Sequence, residues 1–163
     1  MGSMQDRTGQ PVIRIVIRKS AKVLQLWHDS SLLGSFPIAL GSHPAGPKRQ
    51  CGDGRTPEGL YQACVRNAES KYYRSIGLNY PNRWDAECGL AAGLIDQAEH
   101  DRIVSAEASG SRPPWNTALG GEIMIHGGGV QSDWTAGCIA LDDRDMNMVW
   151  DHAPLGTEIL VLP

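Results

Sequence analysis

Two residues toward the C-terminus, a histidine and a cysteine, are of the types that nucleophilic catalysis requires. His126 ends a short apolar run, and Cys138 begins another after a loop of eleven residues. A thiol has a reference pKa of about 8.5, so a nucleophilic cysteine needs a nearby base or positive charge to form its thiolate. Because a loop of this length can fold back, the spacing predicts that the His126 imidazole meets the Cys138 thiol.

Glycines beside both residues distinguish this pair from the other histidines and cysteines. Gly137 removes a Cβ next to the thiol, so the backbone there can approach a substrate closely. The amides of Gly137 and Cys138 could then stabilise a developing oxyanion, an effect worth several kcal/mol when the donors are preorganised. The competing interpretation is that Cys138 only packs in the interior, as free cysteines usually do.

The remaining cysteines and histidines show no comparable pattern. No two cysteines have the CxxC spacing of a zinc ribbon or a thioredoxin-type pair, so the sequence predicts no metal site. Disulfide pairing among them is left open by the sequence. We expect structural or surface roles for Cys51, Cys64, Cys88, His28, His43, His100 and His152.

Composition and charge argue against two classes of protein. The net charge is −3 and no basic patch is visible along the chain, so nucleic-acid binding is not predicted. No apolar run approaches the ~20 residues that a membrane span needs. Residues 1–10 are interpreted as a tag remnant, Met-Gly-Ser-Met, followed by a flexible N-terminus. Residues 11–163 have the length of a single domain.

Hydrophobic patterning predicts a mainly β fold with a helical insertion. An antiparallel meander is expected first, and a loop rich in glycine and proline follows it at residues 41–59. Leucines and alanines at helical spacing predict the insertion at residues 85–108. A short helix after the cysteine, capped by Asp142 or Asp143, is expected to run to about Asp151. Strands are predicted at residues 11–18, 23–27, 33–40, 60–66, 72–78, 122–126 and 157–162.

Longer motifs connect these elements to a known family. His-Gly at 126–127, followed by Thr-Ala-Gly-Cys-Ile-Ala-Leu at 135–141, fits a signature of strand, loop, Ser/Thr-x-Gly-Cys and apolar run. Gly-Asp-Gly-Arg-Thr-Pro-Glu-Gly at 52–59 matches a second landmark. The chain resembles the L,D-transpeptidases with a YkuD-type catalytic domain over nearly its whole length. Its Asp-Trp-Thr lead-in at 133–135 and its short His-to-Cys spacing resemble the YafK-like branch.

This resemblance implies a single YkuD-like β-sandwich domain that acts on peptidoglycan stem peptides. Cys138 would attack the carbonyl before the terminal D-alanine, and His126, oriented by the Gly127 carbonyl, would move the proton. An amine acceptor would then convert the thioester into a cross-link. The resemblance implies neither a metal nor an organic cofactor. It places the protein in the periplasm or cell envelope, and we expect a monomer.

Five side chains near these motifs are candidate substrate contacts. Thr135 can bond either the substrate or its own turn. Arg55 can pair with a substrate carboxylate, although a solvated loop arginine is the alternative. Trp134 and Tyr80, together with Tyr72, are aromatic residues that can line a groove or pack in the core.

Two positions depart from the commonest form of the motif. That form has a histidine two places before the cysteine and an arginine two places after it, where this chain has Ala136 and Ala140. The nucleophile and base are retained. Two further functions therefore stay open: a hydrolase (L,D-carboxypeptidase or amidase) that uses the same Cys/His site, and a non-catalytic cell-wall binding module.

Overall fold

Strands dominate the structure, a computed structural model that describes residues 9–163. The predicted tag remnant at residues 1–4 lies outside the described residues. The strands are β1 Ile13–Arg18, β2 Val23–His28, β3 Ser31–Pro37, β4 Gly59–Ser70, β5 Tyr73–Leu78, β6 Met124–His126, β7 Ile139–Ala140 and β8 Glu158–Leu162. Over residues 9–163 they form one sheet in the order β3-β2-β1-β8-β4-β5-β6-β7. The prediction of a mainly β fold is confirmed.

The long strand β4 gives this sheet its curl. Its first residues pair with β8, from Gly59 opposite Val161 to Gln62 opposite Glu158. Its remainder pairs with β5, with register shifts that mark irregularities in the ladder. Such bulges bend a strand and increase its local twist. The two layers expected of a sandwich are therefore the two halves of one curled sheet, joined through β4.

Single bridges connect the chain after β3 to the far end of the sheet. Ala39 pairs with Ala140 in β7, and Gly41 pairs with Thr135 in the loop before it. The Ala39 amide donates to the Ala140 carbonyl at 3.0 Å, and the Ala140 amide donates back at 2.9 Å. The start of the predicted breaker-rich loop thus lies against the segment that carries Cys138.

Alternating apolar residues build the core that holds the two shortest strands in place. Ile125 in β6 and Ile139 in β7 are both fully buried and pack in the same cluster as residues of β1 and β2. Complete burial of such a side chain contributes about 1.5–3 kcal/mol. Because β6 has three residues and β7 only two, these buried isoleucines anchor strands that hydrogen bonding alone would hold weakly.

The predicted helical insertion consists of two helices, α1 Arg83–Ala91 and α2 Gln97–Ser109. The first begins earlier than expected because Asn82 caps it, with Asp85 completing a capping box. Gly89 lets α1 pack closely, because a Cβ there would lie 2.7 Å from the side chain of Leu119. None of the helices within residues 9–163 is long and apolar enough to cross a membrane.

The third helix, α3 Asp143–His152, follows β7 and agrees with the helix expected after the cysteine. Asp142 occupies its N-cap position but makes no side-chain cap hydrogen bond. Met146 and Val149 are fully buried and join the main core. The start of α3 is therefore held next to the end of β6.

Asp85 is a buried carboxylate that ties α1 to the sheet. It accepts hydrogen bonds from the Tyr61 hydroxyl at 2.7 Å and the Asn82 amide at 2.9 Å. Burial raises the pKa of Asp85 to about 6, although both hydrogen bonds oppose that rise.

Replacing Asp85 with alanine should lower the free energy of unfolding by about 2 kcal/mol, because two buried donors lose their acceptor. Urea unfolding followed by circular dichroism measures this change. Glu87→Ala, at an exposed position on the same helix, is the matched control. A loss for Asp85→Ala no larger than the loss for the control would contradict this account.

Candidate active site

His126 is the last residue of β6, and its side chain is buried. Its Nδ1 lies 2.5 Å from the Gly127 carbonyl oxygen. Because a carbonyl only accepts hydrogen bonds, Nδ1 carries the proton and Nε2 is left as the basic nitrogen. Burial lowers the pKa of His126 below its ordinary value of 6.5, although the bond to Gly127 opposes this. The imidazole is therefore neutral at pH 7 and can accept a proton.

Glycine is the residue that fits at position 127. A Cβ there would collide with the Asp143 carboxylate and would lie 3.0 Å from the Tyr72 carbonyl oxygen. Asp143, in the first turn of α3, also accepts a hydrogen bond from the Gly128 amide at 3.0 Å. The close approach of α3 thus fixes the turn whose carbonyl orients His126.

Cys138 lies immediately before β7, with its sulfur held between two backbone groups. The Met124 amide donates to Sγ, and the thiol donates to the Glu122 carbonyl, each at 3.4 Å. Burial raises the pKa of Cys138 above the ordinary value of a thiol; the Met124 amide opposes this and the Glu122 carboxylate adds to it. The resting cysteine is therefore a neutral thiol.

Cys138 and His126 line one cavity of about 540 Å³. The two residues therefore share one cavity, and direct contact between the imidazole and the thiol stays a prediction. Lys48 and Glu122 are residues of its lining whose side chains are charged. The other lining residues are Cys51, Gly52, Asn67, Ser70, Tyr72, Ser75, Gly120, Gly121, Ile123, Met124 and Ala136.

Two aromatic residues enclose the histidine. Tyr72 stacks on the His126 ring with centroids 4.7 Å apart, and Trp134 meets that ring edge-on at 5.5 Å. The Trp134 indole also donates to the Gly129 carbonyl at 3.0 Å. These contacts bury the imidazole and fix its orientation. Trp134 thus lies at the site, and its contact with a substrate stays a prediction.

The Thr135 hydroxyl is engaged in hydrogen bonds within the turn that precedes Cys138. Its side chain is buried, donates to the Cys138 carbonyl at 2.8 Å and accepts from the Gly137 amide at 3.1 Å. Thr135 therefore has the role of the turn hydroxyl in this structure, and its contact with a substrate stays a prediction. The Gly137 amide is already bonded, which leaves the Cys138 amide as the expected oxyanion donor.

Two other predicted substrate contacts lie elsewhere. Tyr80 is fully buried, and its hydroxyl donates to the Leu119 carbonyl at 2.7 Å, so it belongs to the core. The Arg55 side chain is exposed and lines a separate cavity with Asp53. The backbone of Arg55 does lie at the site, where it packs closely against Gly137. A Cβ on Gly137 would lie 2.6 Å from the Arg55 carbonyl oxygen.

Lys48 is a site residue that the sequence analysis did not identify. It is 3% exposed, and its ammonium donates to Asp53 at 2.9 Å and to the Gln50 carbonyl at 3.0 Å. Lys48 lies in a loop rich in glycine and proline, where no helical or strand periodicity could indicate that its side chain is buried. The nearby Gly-Asp-Gly landmark, which supplies Asp53, was the available clue.

The described residues contain neither a disulfide bond nor a cluster of metal-ligating side chains. All four cysteines fall within residues 9–163, and each is a free thiol. In that same range, no group of three or more His, Cys, Asp or Glu side chains is placed to hold a metal ion. The disulfide pairing that the sequence left open does not occur in this structure, where all four cysteines are unpaired.

Comparison with known protein families identifies the family of this chain. The family model of the L,D-transpeptidase catalytic domain, YkuD, matches residues 13–161. The chain belongs to this family. The match extends from β1 to β8 and includes the loop between His126 and Cys138.

Individual relatives agree with membership of this family. YafK of Escherichia coli, whose own L,D-transpeptidase assignment is provisional, is 35% identical over 91 residues, 52% of this chain and 37% of YafK. The helical cell shape determining protein Pgp2 of Campylobacter jejuni has a TM-score of 0.66 at 21% identity, over 98% of this chain and 48% of Pgp2. An L,D-transpeptidase of Mycobacterium smegmatis has a TM-score of 0.56 at 12% identity, over 94% of this chain and 59% of the Mycobacterium protein. The matches thus span only part of each relative.

The neutral state of Cys138 can be tested directly. The thiolate absorbance of wild type minus that of Cys138→Ala should rise with a midpoint above the thiol reference value of about 8.5, because burial disfavours the charged form. A midpoint below the reference value of about 8.5 would instead indicate a preformed thiolate.

Glu122 has a backbone conformation that a glycine would adopt with less strain. Its φ is +56°, in the left-handed region that side chains with a Cβ disfavour. Glu122→Gly should therefore raise the free energy of unfolding by about 0.5–1 kcal/mol. Urea unfolding tests this, with Glu122→Gln as the control that keeps the Cβ. A decrease on Glu122→Gly would show that side-chain contacts outweigh the backbone cost.

Proposed function

We propose that this domain is a cysteine-dependent L,D-transpeptidase acting on peptidoglycan stem peptides. The observation that carries the proposal is one cavity lined by a thiol and by a neutral histidine whose Nδ1 bonds a backbone carbonyl. Membership of the L,D-transpeptidase family supports the substrate class. The role of Pgp2 in determining helical cell shape accords with chemistry on the cell wall.

The first half of the reaction forms a thioester. The His126 Nε2 takes the proton of the Cys138 thiol while Sγ bonds to the carbonyl carbon that precedes the terminal D-alanine. The resulting oxyanion is stabilised by the Cys138 amide. As the intermediate collapses, the carbon–nitrogen bond breaks and His126 returns its proton to the departing amine. Gly127 acts in place of the third triad member, because its carbonyl holds the imidazole in this tautomer.

The second half of the reaction distinguishes transfer from hydrolysis. An amine from a second stem attacks the thioester carbonyl, the carbon–sulfur bond breaks, and Cys138 regains a proton through His126. Water attacking the same carbonyl would give a trimmed stem, so a hydrolase uses an identical first step. The periplasm or cell envelope is the proposed location, since that is where the substrate lies, and we propose a monomer.

The two alanines of the motif have separate surroundings. Ala140 is fully buried in β7 and is bridged to Ala39, so the residue in this position faces the interior of the protein. Ala136 is exposed and lines the cavity. The absent histidine thus leaves open space beside the thiol, and substrate recognition falls to other residues of the cavity wall.

The proposal predicts a covalent adduct. Under reducing conditions, intact mass spectrometry of the protein with a tetrapeptide stem should show an acyl group on Cys138 with loss of D-alanine. Cys138→Ala should form none, and His126→Ala should form it about 10²- to 10⁴-fold more slowly, because the general base is lost. Cys88→Ala, a cysteine of α1, is the matched control.

Product analysis completes this test. A cross-linked product in the presence of an amine acceptor supports transfer, and the free trimmed stem alone supports the hydrolase. Absence of both adduct and turnover, with the stem still bound, would overturn the enzymatic proposal in favour of a cell-wall binding module.

A further inference from the structure

The peptide group between Gly127 and Gly128 makes two hydrogen bonds at the candidate site. Its carbonyl, on Gly127, accepts from the His126 Nδ1 at 2.5 Å. Its amide, on Gly128, donates to the Asp143 Oδ1 at 3.0 Å. Both bonds belong to one rigid, planar unit whose N–H and C=O point in opposite directions. The Asp143 carboxylate and the His126 imidazole are therefore linked through a single peptide group.

Backbone pairing within residues 9–163 holds the residues on either side of this peptide group, and a side chain holds the group itself. The Leu141 amide donates to the His126 carbonyl at 2.8 Å, and the Gly129 amide donates to the Leu141 carbonyl at 3.0 Å. The peptide group between them has glycine on both sides, with Gly128 at a φ of +109°. Since glycine adopts left-handed and right-handed conformations about equally readily, such a group can flip at little cost. A flip would turn the Gly127 carbonyl away from the imidazole.

Asp143 is placed to prevent that flip. The residue as a whole is exposed in the first turn of α3, but its Oδ1 lies so close over the buried Gly127 that a Cβ there would collide with it. The preceding residue, Asp142, is also exposed and makes no side-chain cap hydrogen bond. Of these two carboxylates, the one of Asp143 engages the turn. Because the peptide group is planar, holding its amide also fixes its carbonyl.

A carboxylate is a stronger acceptor for this amide than a neutral group would be. Hydrogen bonds to an ionised acceptor are about twice as strong as neutral ones, and hydrogen bonds in series polarise one another. The bond to Asp143 therefore makes the Gly127 carbonyl a better acceptor for the Nδ1 proton. Burial lowers the pKa of His126 and the bond to Gly127 opposes this, so a stronger carbonyl favours the imidazolium that forms during the proposed reaction.

We propose that Asp143 is a positioning residue for His126. It acts through the Gly127–Gly128 peptide group, in the role that a carboxylate bonded directly to the imidazole has in a Ser-His-Asp triad. This inference rests on the proposed function, in which the His126 Nε2 is the base, and it specifies what keeps that nitrogen free of a proton. The effect of Asp143 on the reaction passes through the tautomer and the basicity of the imidazole.

Nuclear magnetic resonance of the histidine ring nitrogens tests this inference without a substrate. In wild-type protein labelled with ¹⁵N at histidine, His126 should show a protonated Nδ1 and an unprotonated Nε2 at neutral pH; its signals are those lost in His126→Gln. Asp143→Ala should shift both signals toward a mixture of tautomers, because the freed peptide group no longer holds the Nδ1 proton. Acylation of Cys138 by the tetrapeptide stem should slow by about 10- to 100-fold, with KM changed by no more than about twofold.

Two variants separate this hydrogen bond from other effects of the mutation. Asp143→Asn keeps an oxygen that can accept from the Gly128 amide, so it should retain the wild-type tautomer and react faster than Asp143→Ala. Asp142→Ala removes the same charge from the same end of α3 and should leave the tautomer and the rate unchanged. Because both aspartates are exposed, no replacement removes a buried side chain, and circular dichroism checks that each variant is folded.

Three results would each overturn the inference: an unchanged tautomer or rate in Asp143→Ala, equal losses in Asp142→Ala, or no recovery in Asp143→Asn. The measurements also separate it from the proposed function. If the tautomer of His126 depends on Asp143 but the wild-type protein forms no adduct on Cys138, the enzymatic proposal fails and the positioning role stands. If the adduct forms at the same rate in Asp143→Ala as in wild type, the enzymatic proposal stands and the positioning role fails.

Discussion

Direct contact between three segments of backbone determines where the Cys138 thiol lies. A Cβ on Gly41 would collide with the Gly54 carbonyl, and it would also lie 3.1 Å from the Gly137 Cα. A Cβ on Gly137 would lie 2.6 Å from the Arg55 carbonyl oxygen. Packing this close is open only to glycine, because any side chain would separate the segments. The loop after β3, the Gly-Asp-Gly landmark and the turn before the cysteine are thus assembled as one unit.

Burial has opposite effects on the two reacting groups. It lowers the pKa of His126 and raises the pKa of Cys138, so that both groups are uncharged before a substrate binds. In the proposed reaction, proton transfer between them is coupled to attack on the carbonyl, where the developing charge is stabilised. The aromatic rings of Tyr72 and Trp134 contribute to this state, because they cover the imidazole that would otherwise be solvated.

Sequence reasoning succeeded where the signal was local. Glycines flanking His126 and Cys138 were visible as short motifs, and the alternation of β1 and β2 was visible as periodicity. Tyr80 could not be placed from sequence, because its burial depends on the distant Leu119 carbonyl. Similarly, nothing local shows that the Thr135 hydroxyl is occupied by its own turn, or that Lys48 turns inward to Asp53. These outcomes depend on which loops meet, and that is a property of the whole fold.

The bridge between Ala39 and Ala140 has a consequence for how the domain folds. It joins segments that are far apart in the chain, and contacts of high sequence separation carry a large loop-closure entropy. During synthesis this contact can form only after β7 has been made. The segment that carries Cys138 is therefore fixed late, by a contact between distant parts of the chain. The direct pairing of β7 with β6 keeps this segment next to His126, and the bridge ties the same segment to the chain after β3. The placement of Cys138 is therefore coupled to contacts across the whole topology.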